Sequence, residues 1–203
     1  CIKVVEGEVV RLIIKKYRVS GVILRNGEII KGSSVIITCG TFMSGLVHIG
    51  DRKTRAGRMG EGASYGLTEF LQGSGFSSGR LKTGTPPRLN KNSINWSLAL
   101  EVFGDKNPVP FSYGTKNFSP PNIPCHTIKT NKQVHDVIEQ NLNRSPMFSG
   151  DINGVGPRYC PSIEDKIHRF SHHNTHNLFL EPEWNLSDQI YLNGFSTSLP
   201  ENI

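Results

Sequence analysis

The chain has 203 residues, of which 36% are hydrophobic and 20% are charged, a composition ordinary for a globular protein of one or two domains. Its net charge of +6 is a mild bias toward anionic partners such as RNA, although a solvated basic surface would look the same. No apolar run has the length of a membrane span, and no signal-peptide pattern is present. Because the chain begins with a cysteine rather than a methionine, we expect a piece of a longer protein.

The first forty residues are rich in β-branched side chains and predict a β-meander over 2–32, with a turn at Asn26-Gly27. The segment 33–40 then predicts a buried strand that ends in glycine. The glycine-rich, basic segment from Thr41 to Gly60 predicts a loop. A short helix from Ala63 to Gln72 and a short strand from Gly79 to Thr83 are expected to follow.

A change of character at Gly84 predicts an irregular segment or the entry to a second domain. Seven prolines lie between Gly84 and Pro124 and exclude long regular elements. Beyond them, Asn131 to Asn141 predicts a helix that opens on an asparagine cap. Short strands are expected around three further segments: Asn177–Leu180, Gln189–Leu192 and Phe195–Ser198.

The stretch GVGPRYCPSIEDK, residues 154–166, places a cysteine where a helix is about to begin. Pro161 suits the first position of a helix from about Pro161 to Ser171, and the acidic residues Glu164 and Asp165 suit its first turn. A helix N-terminus and a nearby arginine both stabilise a thiolate, so Cys160 is a candidate nucleophile or redox thiol. A buried, inert cysteine is the competing interpretation, and the residues alone do not decide between them.

The four cysteines, Cys1, Cys39, Cys125 and Cys160, are widely scattered and form no C-x-x-C pair. This spacing argues against a zinc module and against structural disulfides, and it predicts a reducing cytoplasm. His168, His172 and His176 have helical spacing, but Asn174 and Asn177 predict that the helix ends before His176. A solvated helix end is therefore the better interpretation, and we predict no metal site.

Basic loops supply the candidate phosphate contacts. The stretch GRLKTGTPPRL, residues 79–89, places Arg80, Lys82 and Arg88 around a Gly-Thr-Pro turn. Arg52, Lys53, Arg55 and Arg58 lie upstream. Such loops suit phosphate through charge and free backbone N–H groups, and a solvated basic loop is an equally good interpretation. The glycine patterns at 60–66 and 73–79 are not true dinucleotide fingerprints, and ordinary turns explain them better.

Seven strings in a fixed order make the sequence resemble the MnmG/GidA family of flavoproteins, the tRNA uridine 5-carboxymethylaminomethyl modification enzymes. They are GTFMSGLVHIG (40–50), GRMGEGAS (57–64), GRLKTGTPPR (79–88), NRSPMFSG (143–150), GVGPRYCPSIEDK (154–166), FLEPE (179–183) and STSLP (196–200). The resemblance covers essentially the whole chain. It implies an α/β fold that combines part of a glutathione-reductase-type FAD-binding domain, residues 1–83, with an incomplete inserted α/β domain, residues 84–203.

The resemblance also implies an activity and its partners. Family enzymes act with the GTPase MnmE to build an aminomethyl-type group on carbon 5 of the wobble uridine in tRNA. They use methylene-tetrahydrofolate as carbon donor, FAD as redox cofactor and NADH as its reductant. A cytoplasmic homodimer is implied for the full-length protein, with an organellar parent left open. The family's N-terminal G-x-G-x-x-G and its MnmE-docking region are missing here, so we expect the piece alone to be inactive.

The same resemblance assigns candidate site residues. Cys160 matches the family cysteine suspected of catalysis, and Val9 and Ser64 match two FAD contacts. The segment matched to NAD consists of Gly156, Pro157, Arg158, Tyr159, Cys160, Pro161, Ser162, Ile163, Glu164, Asp165, Lys166, Ile167, His168, Arg169 and Phe170. We predict that Arg58, Arg80, Lys82 and Arg88 contact tRNA. Three alternatives stay open: a non-catalytic tRNA-binding or assembly module, a folate- and FAD-dependent tRNA methyltransferase, and a flavin disulfide reductase, which the lack of C-x-x-C disfavours.

Overall fold

The computed structural model describes residues 2–58, 60–82, 84–152 and 161–203. Backbone contacts divide the chain into two compact units, Cys1–Arg80 and Leu81–Ile203. Helices and sheets both occur, as the predicted α/β class requires. The division lies close to the predicted domain boundary at residue 83, and the identification of the two parts as FAD-binding and inserted domains stays a prediction.

The first unit opens with the predicted antiparallel meander. Its strands are β1 (Val9–Lys15), β2 (Arg18–Leu24) and β3 (Ile29–Lys31), paired in that order. The turn between β2 and β3 lies at Asn26-Gly27, as predicted. Gly27 has a φ of 88°, and the Asn26 side chain accepts a hydrogen bond from the Glu28 N–H at 3.0 Å. This left-handed backbone favours glycine, which is why the dipeptide is a reliable turn signal.

The predicted buried strand over residues 33–40 is wrong. The structure assigns no strand there, and Ile36 and Ile37 are exposed. A β-branched run becomes a strand only where a second strand satisfies its backbone N–H and C=O groups. Within the described residues, no strand pairs with this segment.

Two small hairpins and a helix complete the first unit. The predicted loop over 41–60 contains β4 (Val47–Ile49) paired with β5 (Arg52–Thr54), and β6 (Ala56–Arg58) paired with β7 (Glu61–Gly62). The helix α1 (Leu67–Gly73) begins later than predicted. Gly66 precedes it with a φ of 103°, a conformation that ends the preceding segment, and its N–H donates to the Glu69 carboxylate at 2.7 Å.

The second unit is built on a five-stranded antiparallel sheet in the order β8-β12-β11-β10-β9. Its strands are β8 (Arg88–Asn90), β9 (Leu100–Val102), β10 (Cys125–Lys129), β11 (Asn177–Pro182) and β12 (Gln189–Asn193). One face buries alternate residues of the two central strands: Leu178, Leu180, Ile190 and Leu192. This period of two is what a sheet with one covered face requires. The predicted strands at 177–180 and 189–192 are confirmed.

Two other predicted strands, at 79–83 and 195–198, are not assigned as strands in the described residues. Near them, Thr85 and Thr197 form only an isolated antiparallel bridge. Pro86 and Pro87 follow Thr85 directly, and proline has no N–H to donate to a continuing ladder. The pairing therefore does not continue from Thr85 into Pro86 and Pro87.

Two helices form the other core of the second unit. Asn131 caps α2 (Lys132–Gln140), its side chain accepting from the Val134 N–H at 3.0 Å, which confirms the predicted asparagine cap. The second helix, α3 (Ile163–Arg169), has Ser162 as its N-cap. The predicted start at Pro161 is therefore wrong, because Pro161 precedes the cap. The core cluster around the helices consists of Ile138, Ile163, Ile167 and Leu199.

Candidate functional site

The first unit brings the two predicted FAD contacts into one neighbourhood. Val9 begins β1, and the preceding residue, Glu8, forms hydrogen bonds with the Ser64 side chain and the Tyr65 backbone. The Arg25 guanidinium, 2.5 Å from the Glu8 carboxylate, holds the pKa of that carboxyl below its usual value, and the bonds from Tyr65 and Ser64 act in the same direction. These contacts bring the surroundings of Val9 and Ser64 close together, and the assignment of the two positions to FAD stays a prediction.

Backbone bonds fix Ser64 in place. Its N–H donates to the Phe42 carbonyl at 2.8 Å, and its carbonyl accepts from the Ser44 N–H at 2.8 Å. The hydroxyl therefore belongs to a backbone position that is held on both sides, as a ligand contact requires.

The predicted catalytic residue and part of the predicted NAD segment, Gly156, Pro157, Arg158, Tyr159 and Cys160, lie outside the described residues. The described part of that segment runs from Pro161 to Phe170 and forms α3 with its flanks. Its four buried hydrophobic and acidic side chains face the protein interior: Ile163, Glu164, Asp165 and Ile167. The exposed side chains are those of His168, Arg169 and Phe170, so a dinucleotide on this segment would meet the C-terminal half of α3.

Glu164 is a fully buried carboxyl, which the sequence did not predict. Its Oε1 accepts from the Ser198 N–H at 3.0 Å and from the Ser145 hydroxyl at 3.1 Å, with the Ser198 hydroxyl at 3.4 Å. Its Oε2 is buried and has no hydrogen-bond partner among the described residues. The carboxyl thus joins α3 to two segments that are distant in sequence. Its position in the first turn suggested only a dipole interaction.

The four predicted tRNA-contacting cations lie in different environments. In the first unit, exposed Arg58 pairs with Glu61 at 2.6 Å, and Arg80 donates to the Ser44 carbonyl at 3.0 Å. In the second unit, Lys82 is buried and its ammonium contacts the sulfur of Met147. Lys82 is therefore much less accessible than the three arginines, and its role as a tRNA contact stays a prediction.

Arg88 is held on the surface of the second unit by several partners. Its guanidinium pairs with Glu183, lies 4.7 Å from the centre of the Tyr191 ring and donates to the Pro86 carbonyl at 3.0 Å. The guanidinium plane is therefore positioned in advance, which suits recognition of a planar or bidentate anion.

The histidines near α3 do not share one helical face. The helix ends at Arg169, before His172, and the ring centres of His172 and His173 are 4.2 Å apart while those of His135 and His176 are 5.4 Å apart. Among the described residues, no group of three histidine, cysteine or acidic side chains has the arrangement of a metal site.

His176 gives this unit a predicted dependence on pH. Burial, followed by the charges of His135, Lys166 and His173, holds the pKa of His176 below its usual value, and its buried Nε2 has no hydrogen-bond partner among the described residues. The folded state therefore binds this proton less well than the unfolded state. The associated stability is present above the unfolded pKa of about 6.5 and is lost as pH falls below it.

We expect urea unfolding to show a loss of stability between pH 7.5 and 5.5 that is smaller in His176→Phe, which keeps a ring but cannot titrate. His172→Gln, which changes an exposed histidine, serves as the control and should keep the wild-type pH dependence. Equal pH dependence in wild type and His176→Phe would contradict the assignment.

Of the four cysteines, two are described as free thiols, Cys39 and Cys125. Burial, and secondly the negative charge of Glu181, raise the pKa of Cys125. Its thiolate is disfavoured, so Cys125 is a poor candidate nucleophile. A search of the described residues finds no helix long and apolar enough to cross a membrane.

Comparison with known proteins covers the whole chain. The family described as Glucose inhibited division protein A matches residues 1–203. The chain is 50% identical over 204 aligned residues to the tRNA uridine 5-carboxymethylaminomethyl modification enzyme MnmG of Chlorobium phaeobacteroides, covering 100% of this chain and 33% of the relative. The enzyme of the same name from Bdellovibrio bacteriovorus is 49% identical, with 100% and 32% covered.

A solved structure of a GidA protein has a similar fold. Aquifex aeolicus GidA superimposes with a TM-score of 0.87 at 41% identity, covering 97% of this chain and 34% of that one. The chain therefore spans about a third of the length of the relatives it matches.

Proposed function

This chain belongs to the GidA family, and from that premise we propose that its parent protein modifies carbon 5 of the wobble uridine in tRNA. The observation that carries the proposal is the match itself. Relatives about half identical over the full chain are named for tRNA uridine 5-carboxymethylaminomethyl modification. The match includes the long strings GRLKTGTPPR and GPRYCPSIEDK, which lie in different parts of the chain.

The proposed reaction needs several reactants. Methylene-tetrahydrofolate would donate the carbon, glycine or ammonia would supply the nitrogen, and NADH would serve as the reductant for bound FAD. The GTPase MnmE acts as partner of a cytoplasmic homodimer of the parent. In this chain, Val9 and Ser64 would help to hold FAD, which when bound supplies the redox chemistry of the reaction. The described residues support this by bringing Glu8, next to Val9, into hydrogen-bond contact with Ser64.

Cys160 is the proposed nucleophile. Carbon 5 of a uracil ring becomes nucleophilic when a thiolate adds at carbon 6. The Sγ–C6 bond forms, and the electrons of the C5=C6 bond move toward carbon 5 and the C4 carbonyl. Carbon 5 then bonds to the methylene carbon of the donor as one of that carbon's two bonds to tetrahydrofolate nitrogen breaks. The proton on carbon 5 leaves and the Sγ–C6 bond breaks, which restores the C5=C6 bond and the free thiolate. The nitrogen of glycine or ammonia then replaces the remaining tetrahydrofolate nitrogen on the methylene carbon, and tetrahydrofolate leaves with the two protons released.

For the Cys160 thiolate, a nearby positive charge is a stronger expected source of stabilisation than the N-terminus of α3. The N-cap of α3 is Ser162, so Cys160 lies two positions before the cap in the sequence. The effect of a helix dipole falls off beyond the first turn, so Arg158, two residues away in sequence, becomes the more important expected influence.

The exposed arginines Arg58, Arg80 and Arg88 are proposed to hold the tRNA backbone by its phosphates, while the exposed wobble base supplies specificity. Each of them would exchange or share a protein partner, Glu61, the Ser44 carbonyl or Glu183, for a phosphate oxygen. Lys82, the fourth predicted contact, is buried in this structure.

The experiment is to delete the gene of the parent protein and analyse tRNA nucleosides by mass spectrometry. Deletion should remove the uridines that carry an aminomethyl-type group on carbon 5, and a wild-type copy should restore them. Modifications at other tRNA positions are the internal control. An unchanged nucleoside profile would contradict the proposal, and the loss of a 5-methyluridine instead would assign the parent to the methyltransferase alternative.

A further inference from the structure

The segment from Phe103 to Ile123, here called the aromatic loop, connects the edge strand β9 to β10 in the second unit. It has no helix or strand, yet its ends are tied together. The Gly104 N–H donates to the Asn122 side chain at 2.9 Å, and the Asn122 amide returns to the Gly104 carbonyl at 3.5 Å. Loops of this length without secondary structure are uncommon in compact domains and are usually functional or disordered.

The aromatic side chains of this loop face solvent. Phe111 and Tyr113 are fully exposed, at 106% and 109%, and Phe103 and Phe118 are 56% and 43% exposed. Four exposed rings in one loop leave a large apolar area in water, which is typical of a binding surface. None of the four belongs to either core cluster of the second unit.

The charges of the loop indicate the kind of partner. Lys106 and Lys116 outnumber the one acidic residue, Asp105. Neither lysine has an ion-pair partner in the part of the chain that the structure describes. Lysine is depleted at protein–protein interfaces, whereas exposed rings interleaved with cations are typical of surfaces that bind single-stranded nucleic acid. RNA therefore fits better than a protein.

The two arms of the loop also line a half-open cleft with a volume of about 500 Å³. Lys106 and Asn107 line it from the first arm, and Phe118 and Ser119 line it from the second. This volume lies in the range of small-ligand pockets. The lining includes an aromatic residue, the oppositely charged Asp105 and Lys106, and polar residues, a mixture that can offer stacking, a positive charge and hydrogen bonds to one nucleotide.

We propose that the aromatic loop binds unpaired nucleotides of the tRNA anticodon loop. Bases stack on Phe111, Tyr113 and Phe118, and Lys106 and Lys116 contact the phosphates between them. This inference rests on the proposed function, since it takes the tRNA substrate from it, and it assigns recognition to residues outside the predicted cations.

The test measures the affinity of the full-length parent protein for an anticodon stem-loop RNA at several salt concentrations. The double variant Phe111→Ala/Tyr113→Ala should bind about five-fold more weakly per ring, or worse, at every salt concentration. Lys106→Ala/Lys116→Ala should lower the slope of log affinity against log salt by about one for each lysine. Trp184→Ala, which removes an exposed ring elsewhere in the second unit, is the matched control and should bind as wild type does.

Three outcomes separate the possibilities. Wild-type affinity in the Phe111→Ala/Tyr113→Ala variant would overturn the inference. The inference would also be overturned if this variant bound RNA normally but no longer self-associated in a sedimentation experiment. That result would assign the rings to a contact between copies of the protein. If the wild-type parent itself does not bind the stem-loop, the proposed function fails with it. The substituted rings, Phe111, Tyr113 and Trp184, are all exposed, so the variants are expected to fold correctly. Circular dichroism can verify this.

Discussion

Replacing Glu164 by alanine is expected to lower the free energy of unfolding of the second unit by about 2–4 kcal/mol. The carboxyl is fully buried, and its Oε1 accepts from the backbone and hydroxyl of Ser198 and from the hydroxyl of Ser145. Alanine would leave these donors buried without an acceptor and would open a cavity beside α3. Urea unfolding at neutral pH, followed by circular dichroism, measures the change.

Two variants make this result specific. Glu164→Gln keeps an acceptor at Oε1 and places its amide where Oε2 has no partner among the described residues, so we expect a smaller loss. Glu139→Ala removes an exposed carboxyl from α2 and should change stability by no more than about 0.5 kcal/mol. A Glu164→Ala variant as stable as Glu139→Ala would show that the buried hydrogen bonds contribute little.

The parts of the fold that follow from neighbouring residues could be predicted from the sequence. The meander depends on alternating β-branched residues and on the Asn26-Gly27 turn, and both act locally. The strand expected at 33–40 depends on a partner strand, and the described residues supply none. Its sequence pattern was correct for a strand, but hydrogen bonding between distant segments decides whether one forms.

The start of α3 shows a local signal that was misjudged. Pro161 suited the first helical position, but Ser162 and Asp165 form a capping box, with the Asp165 N–H donating to the Ser162 hydroxyl at 3.2 Å. A serine followed three residues later by an acidic residue is itself a helix-start signal, and it was present in the sequence. The burial of Glu164 was different, because its partners Ser145 and Ser198 are distant in sequence.

In the candidate site, too, some features follow from the sequence and others depend on contacts between distant segments. Resemblance identified Val9 and Ser64 as positions of one site, and the contacts of Glu8 bring their surroundings together. The sequence does not show which basic side chains of a loop are exposed. Lys82 and Arg88 lie only six residues apart, yet Lys82 is buried and Arg88 is exposed. The exposure of the rings in the aromatic loop does not follow from its sequence, because the prolines there predict only the absence of long regular elements.

The largest expected effect on activity is that of Cys160→Ser. A serine hydroxyl has a pKa far above neutrality and is a weak nucleophile without a dedicated base, so it should not add to carbon 6 of uracil. We expect the wobble modification to fall to background while the parent protein stays folded and retains FAD. Cys125→Ser is the matched control, because burial and Glu181 raise the pKa of the Cys125 thiol and disfavour its thiolate.

Nucleoside mass spectrometry on tRNA tests this chemistry most directly, in cells whose only copy of the parent protein carries wild-type sequence, Cys160→Ser or Cys125→Ser. Protein level and flavin absorbance are measured in the same cells. We predict normal modification of the wobble uridine with wild type and Cys125→Ser, and none with Cys160→Ser. Normal modification with Cys160→Ser would contradict nucleophilic attack by this thiol and would leave the reaction to the flavin and to residues outside this chain.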